Sequence, residues 1–346
     1  MKQISLALLG FGNVGQAFAS LLLSKREMMC EKFQIEFIVT GIYTSHHGYA
    51  INYSGINLTR ALELIKNGTN LNIISEFQSE NMDVENFIYS CSAEFLLEST
   101  PLNHFDGQPA LSYVKTALNS GKHVVTANKG PVVYGYNELM KISEQVGKAF
   151  YFESSVMDGA PIFSLFREAL PAIHIVGASG ILNSCTNYLL DLMFDGMPLD
   201  LAINKAKAIG ITETDPSADI DGWDASVKLS AISTVLFDIP LTPHQIDRTG
   251  IRSITPAMIA EARTEGKKWK LVCSVKRKNK NLLYAIVKPE KVDFSSPFYN
   301  INGTSSYIQF ETDVLPGLGI VETSPGPQTT AYGMLADILN IVKKFY

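Results

Sequence analysis

The sequence predicts an α/β fold, a doubly wound parallel sheet followed by a second α/β domain with a sheet of its own. Three observations carry this. Short apolar runs alternate with helically spaced stretches through the first 150 residues. A glycine-rich turn joins the first apolar run to the first helical pattern. After Pro161 the rhythm changes, and a hairpin-like alternation enters near residue 271. Strands alternating with helices imply a parallel sheet covered on both faces.

Taken in order, residues 4–9 (ISLALL) form an apolar run bounded by glycine, as a buried parallel strand requires. Residues 14–26 carry apolar positions at helical spacing, and 35–43 read as the second strand. Further strands are expected at 95–97, 123–126 and 149–152, with helices at 110–119 and 137–146. Beyond Pro161 the pattern gives a helix over 162–170, a strand over 173–178, and helices over 186–193, 201–209 and 225–236. Residues 271–287 alternate like a hairpin, and 305–312 and 319–323 resemble strands. Residues 329–346 form an amphipathic helix after a Pro-Gly-Pro turn. The domains are therefore expected at 1–150 and 151–322, with the closing helix in a last segment, 323–346.

Composition narrows the function. With 46% hydrophobic and 18% charged residues in 346, the chain can bury a sizeable core. A net charge of −5 offers nucleic acid or anionic lipid no electrostatic attraction. The basic cluster Lys276 to Lys280 sits between apolar runs and reads as a polar hairpin turn. Cys30, Cys91, Cys185 and Cys273 form no CxxC pair, which argues against structural zinc or a disulfide framework and favours a reducing compartment. Residues 6–23 are apolar enough to suggest a signal peptide or membrane span, but Gly10, Gly12, Asn13 and Gly15 interrupt them. The segment is expected to be internal structure, and the protein cytoplasmic.

Gly10-Phe11-Gly12-Asn13-Val14-Gly15 fits G-x-G-x-x-G in the strand–turn–helix context of a Rossmann-type dinucleotide site. The helix start offers free N–H groups and a positive dipole end to a pyrophosphate. The second strand ends Ile42-Tyr43-Thr44-Ser45-His46-His47, without the acid that would hold the ribose of NAD. Without that repulsion a 2′-phosphate is tolerated, so NADP is favoured and NAD is the alternative. A metal pair at His46 and His47 lacks neighbouring ligands to complete it.

The densest polar stretch runs from Glu213 to Lys228 (ETDPSADIDGWDASVK). A calcium loop is excluded, because aligning Gly222 with its fixed glycine puts Lys228 where a bidentate Glu belongs. Asp224 and Lys228, spaced i, i+4, share a helix face at the edge of an apolar helix. A surface ion pair is the ordinary fate of that spacing. A lysine beside several carboxylates is also equipped to protonate a carbonyl oxygen. Lys129, after the strand His123–Thr126, sits at a strand's carboxyl end, where open α/β sheets bind ligands, although a lone loop lysine is usually only solvated.

Nearly end to end, the chain resembles the homoserine dehydrogenases. The resemblance rests on GFGNVG, LLESTPLN (96–103), GKHVVTANKGPV (121–132), ESSVMDGAP (153–161), GILNSCTNYLLDLM (180–193) and ETDPSADIDGWDASVKL (213–229). It implies NAD(P)-dependent interconversion of L-homoserine and L-aspartate 4-semialdehyde, in the threonine, methionine and isoleucine branch of amino-acid biosynthesis. It implies Lys228 as proton donor and Lys129 as the lysine that orients substrate or polarises its oxygen. Glu213 and Asp224 would hold substrate, with Asp219 in support. The cofactor would contact Gly10 to Gly15, Thr44, Ser45, Ser99, Thr100, Lys129 and Gly326. A monovalent cation, sodium in the family, would sit at Glu153, Val156, Asp158 and Ala160, although Val-Met-Asp-Gly-Ala replaces the family's glycine-rich run there. Ser184-Cys185 likewise stands where the family has Gly-Thr. The resemblance also implies that the closing helix within 323–346 returns to the first domain, and a homodimer through the second domain's sheet is expected from it. So is the absence of feedback control through a C-terminal regulatory domain.

Two rivals follow from the same residues. Ser184-Cys185-Thr186-Asn187 resembles the nucleophilic turn of phosphorylating aldehyde dehydrogenases, in which Cys185 would form a thiohemiacetal with a histidine as base. The nearest downstream histidine is His244, and that reading leaves Glu213 to Lys228 idle. A non-catalytic NADP sensor is the second rival, and it has no need of two lysines and a set of carboxylates.

Overall fold

The computed structural model describes residues 1–212 and 215–346, and they divide into two compact units. The first comprises Met1–Pro161 with Gly326–Tyr346, the second Ile162–Pro325. Unit one contains β1 (Lys2–Leu9), α1 (Asn13–Met28), β2 (Ile35–Tyr43), β3 (Tyr49–Ile51), α2 (Leu58–Lys66) and α3 (Val84–Ser90). It continues with β4 (Phe95–Glu98), α4 (Ala110–Asn119), β5 (His123–Thr126), α5 (Lys129–Val146) and β6 (Phe150–Tyr151).

Its sheet runs β3-β2-β1-β4-β5-β6 and is parallel throughout except for β3, which pairs antiparallel with β2. This is the doubly wound order, with its switch point between β1 and β4. Every residue of β4 and β5 is buried, as strands covered on both faces must be. Ile4, Leu6, Leu8, Phe18, Phe95 and Val125 lie in one core cluster with Met334, Leu335, Ile338 and Ile341 of the last helix.

Unit two contains β7 (Ile175–Ile181), α6 (Ser184–Phe194), α7 (Leu199–Ala208), α8 (Ser217–Ile220), α9 (Trp223–Leu236), β8 (Asp247–Arg248) and α10 (Pro256–Thr264). β9 (Lys268–Asn279), β10 (Leu282–Val292), β11 (Ser306–Thr312) and β12 (Leu318–Glu322) follow, and α11 (Pro327–Phe345) belongs to unit one. The second sheet runs β12-β11-β7-β9-β10-β8 and is antiparallel except where β8 joins β10. Ala178, Val275 and Phe310 form a cross-strand row that is buried, whereas the adjoining row Ser179, Ser274, Ile286 and Gln309 is half exposed.

Several expectations move. The helix expected over 162–170 is mostly a π-helical turn, Leu165–Ala169. Pro171 explains its end: the residue before proline is pushed out of the α region, and Leu170 has φ −123° and ψ 66°. Lys276 to Asn279 continue β9, and the hairpin reverses only at Lys280-Asn281. The helix expected from residue 137 starts at Lys129, because Asn128 caps it by accepting from the Gly130 N–H at 2.9 Å. α2, α3 and α10 are additional, each opened by a capping side chain, Asn57, Asp83 and Thr255.

Candidate active site

The glycine turn in unit one is built as the sequence anticipates. Gly10 has φ +98°, and a Cβ there would lie 2.7 Å from the Ser99 carbonyl oxygen. A Cβ on Gly15 would lie 2.4 Å from the Gly10 carbonyl oxygen, so α1 packs on the turn only because that atom is missing. Gly12 is the N-cap of α1 and meets nothing within 4 Å, which leaves open space at the helix start. Phe11 is buried and its carbonyl accepts from Gln16 Nε2, while Asn13 is exposed and Val14 half buried.

Ser99 closes the switch point. Its N–H donates to the Leu9 carbonyl at 2.9 Å and its hydroxyl to the Gly10 carbonyl at 3.3 Å. Beyond β2, Thr44 Oγ1 accepts from the His47 N–H at 2.6 Å, and Ser45 and His46 are exposed in the turn leading to β3. Gly326 is the N-cap of α11, with its N–H given to Thr329 Oγ1.

Lys129 is the first residue of α5 rather than a loop lysine. A buried acid that sequence reasoning passed over organises its approach. Glu98, fully buried at the end of β4, accepts from the Thr100 N–H at 2.7 Å, from the Thr100 hydroxyl, and from Thr126 Oγ1 at 2.5 Å. Thr126 Oγ1 in turn accepts from the Asn128 N–H at 2.9 Å, and Asn128 Nδ2 donates to the Thr100 carbonyl. The carboxyl ends of β4 and β5 are thereby locked together just before Lys129. Burial pushes the Glu98 carboxyl's pKa up, and the Thr100 and Thr126 hydroxyls pull it back. Its signal was in the sequence, an acid closing the apolar run of LLE.

In unit two, Lys228 and Asp224 lie on α9 with Nζ and Oδ2 3.4 Å apart, both largely shielded. Lys228 Nζ also donates to the Leu182 carbonyl at 2.8 Å. Asp219, on α8, accepts from Thr212 Oγ1 at 2.9 Å. The next residue after Leu182 joins the two acids: Asn183 Nδ2 donates to Asp219 Oδ1 at 2.7 Å and to Asp224 Oδ2 at 3.0 Å. Burial and the Asp224 charge both push the Asp219 carboxyl up. Asp219, Asp224 and Lys228 are thus brought together, and Asn183 is a member that motif reasoning missed. Glu213 lies outside the described residues.

Such a cluster offers a cation acceptor from its carboxylates and a proton donor from its lysine. It does not offer a thiolate. Cys185 is buried on α6, and burial together with the Asp219 charge pushes its thiol far above the usual range. His244 stands edge-on to Trp223, with ring centroids 5.1 Å apart.

Glu153, Val156 and Ala160 are buried in an irregular stretch of 3-10 helix and turns, where Asp158 has φ +42°. Asp158 Oδ2 accepts from Thr329 Oγ1 at 3.0 Å, and the Glu153 N–H donates to Asp337 Oδ2 at 2.7 Å. Among the described residues no group of three or more His, Cys, Asp or Glu is arranged to hold a metal. Among them, too, no helix is long and apolar enough to cross a membrane.

Comparison with known proteins gives a consistent result. Residues 161–339 match the family model described as homoserine dehydrogenase. An NAD(+)-dependent homoserine dehydrogenase of Pseudomonas canavaninivorans is 30% identical over 343 residues, covering 99% of this chain and 97% of that protein. A homoserine dehydrogenase of Methanocaldococcus jannaschii is 33% identical over 339 residues, 98% of each. A solved hyperthermophilic archaeal homoserine dehydrogenase in complex with NADPH superimposes with a TM-score of 0.84 at 28% identity, over 99% of both chains.

Proposed function

The chain belongs to the homoserine dehydrogenase family, and from that premise we propose how its own residues carry out NAD(P)-dependent interconversion of L-homoserine and L-aspartate 4-semialdehyde. The observation that carries the proposal is the clustering of Asp219, Asp224 and Lys228 around Asn183 and the Leu182 carbonyl.

Homoserine carries an ammonium group, and Asp224 with Asp219 supplies the carboxylates to hold it, joined by Glu213. Lys228 donates a proton to the semialdehyde oxygen in reduction and recovers it from the hydroxyl in oxidation. Lys129, fixed at the start of α5 behind the Glu98 network, orients the substrate or polarises that oxygen. When bound, a dinucleotide would supply the hydride in reduction and accept it in oxidation. Gly10 to Gly15 and the α1 N-terminus would hold its pyrophosphate, with Ser99, Thr100, Lys129 and Gly326 completing the site.

NADP is the preferred cofactor, because Thr44 and Ser45 stand where an NAD-specific acid would repel a 2′-phosphate. The NAD(+)-dependent relative keeps NAD as the alternative to be measured. A monovalent cation, sodium by family resemblance, fits the 153–160 stretch, where backbone carbonyls outside any regular ladder would hold it with Glu153. A homodimer through the second sheet is supported by its half-open row Ser179, Ser274, Ile286 and Gln309 and by exposed Tyr284 and Val321. A cytoplasmic enzyme of threonine, methionine and isoleucine formation is the setting this activity implies.

The test is homoserine-dependent reduction of NADP, and separately of NAD, at alkaline pH with and without phosphate. Reduction without phosphate is expected, faster with NADP. Turnover of the semialdehyde only in the presence of phosphate would move the chemistry to Cys185. Tight NADPH binding without any turnover would make the protein a sensor.

A further inference from the structure

The residue most central to the acid–lysine cluster is neither an acid nor a lysine. Asn183 is buried between β7 and α6, and its carboxamide hydrogens go to Asp219 and Asp224 at 2.7 and 3.0 Å. Its Oδ1 accepts from the Thr186 N–H at 2.8 Å and from the Thr186 hydroxyl at 2.9 Å, which caps α6. A flipped amide would set Oδ1 against two carboxylates and the NH₂ against an N–H donor. The cap therefore fixes which way the amide faces.

We propose that Asn183 is a positioning residue for substrate, holding Asp219 and Asp224 in one fixed geometry ready for the ammonium group of homoserine. The proposal rests on the reading of those two aspartates as substrate ligands. Two carboxylates brought close repel each other, and removal from water strengthens the repulsion. A primary amide is a compact neutral group able to donate to both at once without a charge that would compete with the incoming ammonium. Lysine or arginine in its place would satisfy the acids and occupy the substrate's role.

The turn that carries Asn183 also sets the proton donor, because the adjacent Leu182 carbonyl holds Lys228 Nζ at 2.8 Å. Two consecutive residues after β7 thus fix the binding carboxylates and the catalytic ammonium relative to one another. A site assembled before substrate arrives avoids ordering those groups during binding.

Three variants separate positioning from helix capping. Asn183→Ser and Asn183→Asp both keep a good capping oxygen for Thr186, so α6 and the melting temperature should be retained. Serine is too short to bridge the acids, and aspartate replaces two donors with acceptors. The KM for homoserine should rise roughly tenfold or more in both, further in the aspartate variant, with the KM for NADP unchanged and kcat much less affected. Asp224→Ala, measured alongside, should raise the KM for homoserine on its own. Wild-type KM in both Asn183 variants, with Asp224→Ala impaired, overturns the positioning role alone. An unaffected Asp224→Ala overturns the carboxylate reading and this proposal with it. A loss confined to kcat, or one that simply tracks a lowered melting temperature, also counts against Asn183 as a substrate-positioning residue.

Discussion

Lys228 illustrates how much a single side chain's surroundings decide. An i, i+4 pair on an exposed helix contributes only about 0.3–0.5 kcal/mol and is readily exchanged for water. Here the ammonium is largely shielded, lies 3.4 Å from Asp224 and donates to a backbone carbonyl, so its position is fixed from two directions. Replacing it with alanine should lower kcat about 10²–10⁴-fold and leave the KM for NADP unchanged. Steady-state kinetics with unchanged kcat would remove it from the reaction.

His123 shows the opposite economy, a titratable ring kept neutral. It is buried, stacks on Phe95 with ring centroids 4.9 Å apart, and accepts from the Ala149 N–H through Nδ1. Burial first, and then the Lys148 charge, lowers its pKa to about 4. The unfolded chain therefore binds this proton before the folded one does. The stability tied to the neutral ring is complete above about pH 6.5 and falls as pH drops toward 4, by up to about 3 kcal/mol. Ring-proton NMR should show His123 uncharged at pH 5.5; titration near 6.5 would contradict this.

At the scale of the element, the β1–α1 turn separates two kinds of glycine. Gly15 is needed for packing, since its Cβ would meet the Gly10 carbonyl, whereas Gly12 faces open space. Gly15→Ala should destabilise the fold by about 1–3 kcal/mol through overpacking. Gly12→Ala should change the melting temperature little and weaken nucleotide affinity, because a methyl would stand where the proposed pyrophosphate site meets the backbone. Denaturation and nucleotide titration of both variants check the pair; equal melting temperatures would refute the distinction.

The same turn could be read in the sequence because strand, glycines and helix are contiguous there. The strands expected at 35–43 and 123–126 are equally local and agree with β2 and β5. Elements held by caps and long-range contacts were harder. α2 and α3 are short, of 9 and 7 residues, and open on the caps Asn57 and Asp83, and α5 begins earlier than its periodicity suggests because Asn128 caps it. Among site residues, charge drew attention to Asp219, Asp224 and Lys228. Asn183 acts through hydrogen bonds to Asp219 and Asp224, 36 and 41 positions away, which no local pattern encodes. Glu98 left a local mark as an acid closing an apolar run, but its bond to Thr126 spans 28 positions.

For the whole molecule, the decisive fact is that unit one is discontinuous, interrupted after Pro161 and resumed at Gly326. Ala331, Met334, Leu335, Ile338 and Ile341 of α11 share a core cluster with Phe18, Leu22 and Phe95. At about 1.5–3 kcal/mol for each large apolar side chain, four such residues account for roughly 6–12 kcal/mol, comparable with the entire stability of an ordinary domain. α11 also holds the 153–158 stretch in place. Asp337 accepts from the Glu153 N–H, the Thr330 carbonyl accepts from Ser154 Oγ, and a Cβ on Gly333 would lie 2.3 Å from that same Oγ. A chain ending at residue 326 should therefore lose both cooperative unfolding of unit one and NADPH binding, read by protease resistance and nucleotide fluorescence. Unit two, whose segments all precede that point, should keep its protease-resistant core. Retained NADPH binding by the truncated chain would mean that the parallel sheet closes its core without α11, contrary to the packing of those residues.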